Sequence, residues 1–149
     1  MDYVNFGSTG VQVSQLSLGT MLFGSTCAEN DAIKLTHRAI SDGINVIDTA
    51  NGYNNGLSEE IVGKALDGYR NDVVLITKVN AKMGNGVNDG GLSRFHILKE
   101  VENSLKRLNT DHIDIYFIHR RDNNTTLEET ILAMDQLVQS GKVRYIGIS

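Results

Sequence analysis

The chain has 149 residues, of which 40% are hydrophobic and 21% charged, and its formal net charge is -4. These values are typical of a folded globular protein, and the absence of a Lys/Arg-rich run argues against nucleic acid or an anionic membrane surface as a partner. A single cysteine, no signal-peptide pattern and no apolar stretch near 18 residues favour the reducing cytoplasm, with a small molecule as the expected partner.

The chain opens with short extended segments and then alternates between helices and strands. Residues 3–19 predict two extended segments around a turn at Ser8, Thr9 and Gly10, and Leu16 to Met21 predict a further strand. Helices are predicted over residues 29–42, 58–66, 93–108 and 126–141, and strands over residues 44–50, 73–79, 113–119 and 143–149.

The predicted helices carry recognisable boundaries and apolar stripes. Glu59 and Glu60 lie in the first turn of the helix over 58–66, where the helix dipole favours acids. Thr126 with Glu129 matches a capping box, and Gly141 lies where a left-handed residue ends the last helix. The apolar stripe of that helix comprises Leu127, Ile131, Met134, Leu137 and Val138.

Near-continuous apolar strands that alternate with helices predict a parallel sheet with covered faces. A doubly wound sheet and a (β/α) barrel both satisfy this pattern. No repeat or linker divides the chain, so we expect one domain over residues 1–149. The glycine-rich segment 80–92 lacks a phosphate-binding pattern, and we expect a mobile loop there.

Three predicted strands end in ionisable residues that share a face with the apolar residues before them. Asp48, Lys78 and His119 are these strand ends, and Tyr53 follows Asp48 by five residues. Because the carboxyl ends of parallel strands form the active face of such folds, we expect the four side chains to converge. Singly, each is more often a solvated or structural residue, whereas their shared placement predicts a site.

The four residue types are suited to proton transfer to an oxygen atom. A tyrosine has a pKa of about 10, and a nearby ammonium lowers the pKa of a phenol by stabilising the phenolate. Lys78 is placed to do this for Tyr53, Asp48 to keep Lys78 charged, and His119 to bind a substrate oxygen or relay the proton. The remaining histidines, His37, His96 and His112, are scattered, and we expect them on helix or loop surfaces rather than in a metal site.

These motifs resemble those of the aldo-keto reductases. "DTANGY" is similar to the family's Asp-Thr-Ala-x-x-Tyr signature, "LITKV" to its lysine strand, "SLKRLNTDHIDIYFIHRRD" to its Ser-Leu-x-x-Leu…Asp…His segment and "GKVRYIGIS" to its fifth barrel strand. The match runs from residue 3 to residue 149. It implies a (β/α)8 TIM barrel, present as an incomplete N-terminal portion, with an initial β-hairpin at the barrel floor.

The resemblance also implies an NAD(P)H-dependent reduction of aldehydes or ketones. Catalytic roles follow for Asp48, Tyr53, Lys78 and His119, with Tyr53 as the general acid. Cofactor contacts are implied for Thr20, Met21, Asp48 and Ser149, and we expect NADP, with NAD as the alternative. Arg121 stands where relatives often have proline.

A complete barrel has about 250 residues, and this chain supplies five of the eight strand units. An open sheet would expose an apolar edge at residues 143–149, which predicts self-association through the incomplete barrel. Alternatives to reduction are a non-catalytic subunit that senses a cofactor or binds a partner, as in the potassium-channel beta subunits that resemble this family, and an inactive truncated fragment. A more distant alternative is a Schiff-base aldolase with Lys78 as the amine.

Overall fold

The first structural unit is an antiparallel hairpin, β1 (Tyr3–Asn5) and β2 (Gln12–Ser14), in a computed structural model that describes all of residues 1–149. The hairpin packs at the amino-terminal end of the first central strands. Ser14 N donates to Asn45 Oδ1 at 2.8 Å, and the Tyr3 hydroxyl donates to Gly43 O at 2.9 Å. The predicted hairpin and its position at the floor of the sheet are therefore confirmed.

Strands and helices then alternate as the sequence predicts. They are β3 (Leu18–Gly19), α1 (Glu29–Ser41), β4 (Val46–Asp48), α2 (Leu57–Ala65), β5 (Val74–Val79), α3 (Arg94–Arg107), β6 (Ile113–Ile118), α4 (Leu127–Gln139) and β7 (Val143–Ile148). Short 3-10 helices cover Tyr53–Gly56 and Arg70–Asp72. The first strand is shorter than predicted, because only Leu18 and Gly19 pair with β4.

The five central strands form one parallel sheet in the order β3-β4-β5-β6-β7. Each strand thus lies beside its neighbour in the sequence, whereas a doubly wound sheet reverses its strand order at a switch point. Successive helices pack against one another along one face of the sheet. This arrangement is the wall of a (β/α) barrel, and it decides between the two folds that the pattern left open.

The hydrophobic core lies between the helices and the outer face of the sheet. Ile47, Leu75 and Tyr116 point outward from successive strands, and each is 0% exposed. They pack in one cluster of 21 buried residues that also includes Ile97 of α3 and Met134 of α4. Burial of each aliphatic side chain of this cluster contributes about 1.5–3 kcal/mol, so this layer is a main source of the stability of the wall.

Two placements from the sequence are wrong. Leu127 is 63% exposed, because the buried stripe of α4 begins one turn later at Thr130. His96 is 1% exposed instead of lying on a surface, because the broad buried face of α3 includes it beside Ile97.

The longest helix has 14 residues, and none combines the length and apolar character needed to cross a bilayer.

Candidate active site

The parallel register brings the ionisable strand ends to one edge of the sheet. Asp48 ends β4 and aligns with Ile76, while Lys78 of β5 aligns with Phe117 of β6. His119 follows β6 directly, and its backbone N–H donates to Val79 O at 3.0 Å. The structure thus places these groups on neighbouring strands, and it brings Tyr53 to them through the loop after β4.

Lys78 is the centre of this group. Its Nζ donates to both carboxylate oxygens of Asp48 at 2.7 and 2.8 Å, to Thr49 O at 2.8 Å and to the Tyr53 hydroxyl at 3.4 Å. An ammonium has three N–H donors, and here they serve the carboxylate, the carbonyl and the phenol. With only 10% of its side chain exposed, Lys78 is held in position by Asp48 and Thr49.

Tyr53 lies at the start of a tight turn with unusual backbone angles. The φ angles of Asn54, Asn55 and Gly56 are 48°, 54° and 92°, all in the left-handed region. Asparagine tolerates this region better than other residues with a Cβ, which explains the Asn-Asn-Gly sequence. The Asn54 side-chain amide also donates to Phe23 O at 2.6 Å and to Met21 O at 3.3 Å. The turn is therefore tied to the loop after β3.

His119 lies against the tyrosine ring. The Tyr53 and His119 ring centroids are 5.8 Å apart in an edge-to-face arrangement. Burial lowers the pKa of His119, and the positive charges of Lys78 and Arg120 lower it further, while Asp48 partly opposes them. The imidazole is consequently neutral at pH 7, with one nitrogen that donates and one that accepts a hydrogen bond.

A cluster of buried hydroxyls supports Asp48 from behind. Thr20 Oγ1 donates to Asp48 O at 3.0 Å and lies 2.9 Å from Ser58 Oγ, which in turn lies 3.1 Å from Thr49 Oγ1. Thr20 is 0% exposed. The Thr20 hydroxyl thus forms a hydrogen bond between the ends of β3 and β4. Its side chain is not accessible to a ligand in the site.

The other two residues expected at a cofactor lie at the rim. Met21 is 61% exposed just after β3, and Ser149 is exposed after β7, where its N–H donates to Ile118 O at 3.0 Å. Gly19 aligns with Asp48, and a Cβ at Gly19 would meet nothing within 4 Å. The space beside Gly19 at this edge of the sheet is therefore open.

A buried ion network behind the site was not predicted from the sequence. Arg107 Nε donates to Glu59 Oε2 at 2.6 Å, and its Nη2 donates to Glu100 Oε1 at 2.6 Å. The Thr77 hydroxyl donates to Glu59 Oε1 at 2.5 Å, and Asn51 Nδ2 donates to Glu100 Oε1 at 3.3 Å. The network thus connects α2 and α3 to Thr77, which precedes Lys78, and to Asn51 in the loop that leads to Tyr53.

Glu59 is the most deeply buried acid of this network. Burial raises its pKa, and the Arg107 charge and the Thr77 hydrogen bond oppose that rise. The predicted place of Glu59 in the first turn of α2 is confirmed, and its side chain is 0% exposed. A weak signal was available in α3, where Glu100 and Arg107 are seven residues apart and share the buried helix face.

Fold and site together define a (β/α)-barrel protein with a cluster of ionisable side chains at the carboxyl ends of its strands. The chain belongs to the aldo/keto reductase family, whose family model matches residues 15–149. It is 42% identical over 155 residues to aldo-keto reductase YhdN of Bacillus subtilis (strain 168), covering 100% of this chain and 47% of that protein.

Further relatives agree with this assignment. The chain is 42% identical to a probable voltage-gated potassium channel subunit beta of Oryza sativa subsp. japonica, covering 100% of this chain and 46% of that protein. The holo form of aldo-keto reductase AKR11C1 from Bacillus halodurans superposes with a TM-score of 0.88 at 38% identity, covering 100% of this chain and 50% of that one. The chain spans about half the length of the curated relatives it matches.

Proposed function

We propose that these residues form the catalytic part of an oxidoreductase that reduces aldehydes or ketones to alcohols with a nicotinamide cofactor. The observation that carries this proposal is the ammonium of Lys78, fixed by Asp48 and Thr49 and 3.4 Å from the Tyr53 hydroxyl. That geometry prepares a phenol to give up a proton, which a carbonyl oxygen needs as it becomes an alcohol.

Tyr53 is the proposed general acid. Because its oxygen accepts a hydrogen bond from Lys78, its own O–H is free to donate to a substrate oxygen. As the proton leaves, negative charge develops on the phenol oxygen, and the nearby ammonium stabilises it. Neutral His119, packed against the Tyr53 ring, is the second proposed donor to the carbonyl oxygen and orients it for proton transfer.

The proposed cofactor is NADP, with NAD as the alternative. When bound, it supplies the hydride that the carbonyl carbon receives. Met21, Asp48 and Ser149 lie at the carboxyl ends of β3, β4 and β7 and would contact the nicotinamide end, while Thr20 supports Asp48 from the buried side. Residues 1–149 are proposed as the N-terminal portion of a single barrel domain, and the reducing cytoplasm is the proposed compartment.

A second candidate is a cofactor-sensing or partner-binding subunit, which the 42% identity to the rice channel subunit supports. Such a role does not require proton donation by Tyr53. The catalytic proposal is favoured because the contacts of Lys78 leave the phenolic proton available. Turnover of a carbonyl compound separates the two candidates.

Replacing Tyr53 with phenylalanine tests the assigned acid. We expect kcat to fall by about 10²- to 10⁴-fold, the usual contribution of general acid catalysis. Cofactor binding should survive, so excess NADPH should raise the Tm of Tyr53→Phe as much as that of the unchanged protein. Tyr69→Phe is the matched control, because Tyr69 packs on His37 away from the site. Full turnover by Tyr53→Phe would refute the assignment.

A further inference from the structure

Arg120 differs from most arginines of this protein in having no acidic partner. Of the seven arginines in the sequence, five form ion pairs with carboxylates. These five are Arg38, Arg70, Arg94, Arg107 and Arg144. Arg120 instead is exposed beside His119, at the edge of the sheet where the site opens. Its positive charge is therefore available to a ligand.

The guanidinium of Arg120 is nevertheless held in place by Asn80. Arg120 Nε donates to Asn80 Oδ1 at 2.8 Å, and Asn80 Nδ2 donates back to Arg120 O at 3.2 Å. Asn80 lies two residues after Lys78, is 9% exposed and has a φ of 152°, which few residues other than glycine adopt. A nearly buried, conformationally constrained amide thus orients the arginine.

The contact with Asn80 leaves the outer edge of the guanidinium unused. Nε is engaged, while Nη1 and Nη2 make no hydrogen bond within the protein. A pair of terminal N–H groups in one plane matches the two oxygens of a carboxylate. The Arg120 charge also contributes to the lowered pKa of His119, so the two side chains are close enough to interact.

We propose that Arg120 binds the carboxylate of an oxo-acid substrate while its carbonyl oxygen lies at Tyr53 and His119. This inference rests on the proposed reductase function and adds the substrate class, a carbonyl compound with a carboxylate within a few bonds. The carbonyl carbon gains a hydride from the nicotinamide cofactor, its oxygen gains the Tyr53 proton, and the carboxylate stays unchanged. Arg120 is then the specificity-determining residue for anionic substrates.

The test compares each acid with its uncharged ester. Phenylglyoxylate and levulinate are assayed with NADPH beside their methyl esters, so that only the charge of the substrate changes. In Arg120→Gln, kcat/KM for the acids should fall roughly 10- to 100-fold, the effect of a lost charge-assisted hydrogen bond. The values for the esters should change by less than about threefold, and Arg120→Lys should retain part of the preference.

Arg38→Gln is the matched control, because Arg38 is exposed on α1 and pairs only with Asp42 at the end of the same helix. It should leave the acid-to-ester ratio unchanged. An equal loss for acids and esters in Arg120→Gln would overturn the inference while leaving the reductase function intact. A weaker Kd for NADPH with an unchanged acid-to-ester ratio would also overturn it, by assigning Arg120 to a cofactor phosphate.

Absence of turnover with every carbonyl compound would refute the proposed function, and the anion site is then tested by binding. The side-chain Nε–H signal of Arg120 is followed by NMR during titration with phenylglyoxylate and, separately, with its methyl ester. A saturable shift with the acid alone would support carboxylate binding at Arg120. No shift, or equal shifts with both compounds, would overturn it.

Discussion

Lys78 and Asp48 form a partly buried ion pair at the carboxyl ends of neighbouring strands. The two side chains are 10% and 29% exposed, and the ammonium contacts both carboxylate oxygens. Removing one partner from such a pair leaves the other charge without compensation, which costs more than the pair itself contributes. The contacts to Thr49 and Tyr53 are neutral and replace only part of this interaction.

Asp48→Asn should therefore lower the free energy of unfolding by about 2 kcal/mol, less than a fully buried pair because Asp48 retains some exposure. The double variant Asp48→Asn with Lys78→Met should recover most of this loss, because it removes the uncompensated charge. Urea unfolding of the single and double variants measures both values. Additive losses in the double variant would contradict the coupling.

His119 gives the stability of the protein a pH dependence of known sign. Its pKa in the folded protein lies below the ordinary value of 6.5, mainly through burial and then through Lys78 and Arg120. The unfolded chain therefore binds more protons between the folded pKa and 6.5, and the free energy of unfolding rises with pH through that window. Above 6.5 this contribution is constant, and acid below 6.5 progressively favours unfolding.

We expect His119→Asn to make this acid-induced loss of stability shallower. Buried His96 also has a lowered pKa, so part of the loss should remain in the variant. Urea unfolding between about pH 7 and pH 5 measures both slopes, whose origin is the proton uptake of the unfolded state. Identical slopes for the two proteins would show that His119 does not titrate between folded and unfolded states as described.

At the scale of single residues, strand parity was enough to predict where Asp48, Lys78 and His119 lie. Each ends an apolar strand, so a local pattern encodes its position. The contacts of Asn54 with Phe23 and of Glu59 with Arg107 join residues 31 and 48 positions apart. No local pattern encodes such pairs, and only the folded wall brings them together.

Among the elements, the turn after Tyr53 has the most unusual backbone conformation. Three successive residues with positive φ are sterically costly unless glycine or asparagine occupies them. The Asn54 side chain offsets this cost by donating to two carbonyls of the loop after β3. The turn is thus one element that both positions the proposed acid and joins β3 to β4.

Variants at Asn54 separate the backbone contribution from the hydrogen bonds. Asn54→Gly keeps access to the left-handed region and loses only the side-chain bonds, which should cost about 1 kcal/mol. Asn54→Ala also pays the conformational penalty, and we expect about 2–3 kcal/mol in total. Thermal or urea unfolding measures the two losses, and equal losses would show that the backbone angle carries no cost here.

The helices and strands were predictable because each has a clear periodicity of apolar residues. How deeply individual residues of these elements are buried was not predictable. The capping box at Thr126 is confirmed in part, since Thr126 Oγ1 accepts from Glu129 N at 3.3 Å, but the Glu129 side chain accepts from Arg94 N instead. The helix α2 approaches α3 closely at Gly63, where a Cβ would lie 2.7 Å from Arg107 O. Only a residue without a side chain allows this close approach, which a helical pattern alone does not predict.

For the whole molecule, the alternation of strands and helices predicts a parallel sheet, and the family motifs predict the barrel and therefore its strand order. The five strands lie in sequence order, with β3 and β7 at the two edges. On β7, Ile146 and Ile148 are 38% and 63% exposed. A parallel strand with free backbone groups and exposed isoleucines is a template for pairing with another chain.

We therefore propose that the 149-residue chain associates with itself through the β7 edge. Sedimentation velocity over a range of concentrations should show species larger than the monomer, and Ile148→Lys should shift the distribution toward monomer, because charge on an edge strand opposes pairing. Val87→Lys is the control, since Val87 is 98% exposed in the loop between β5 and α3 and lies on no strand. A monomer at every concentration would mean that the exposed edge is too short or too twisted to pair.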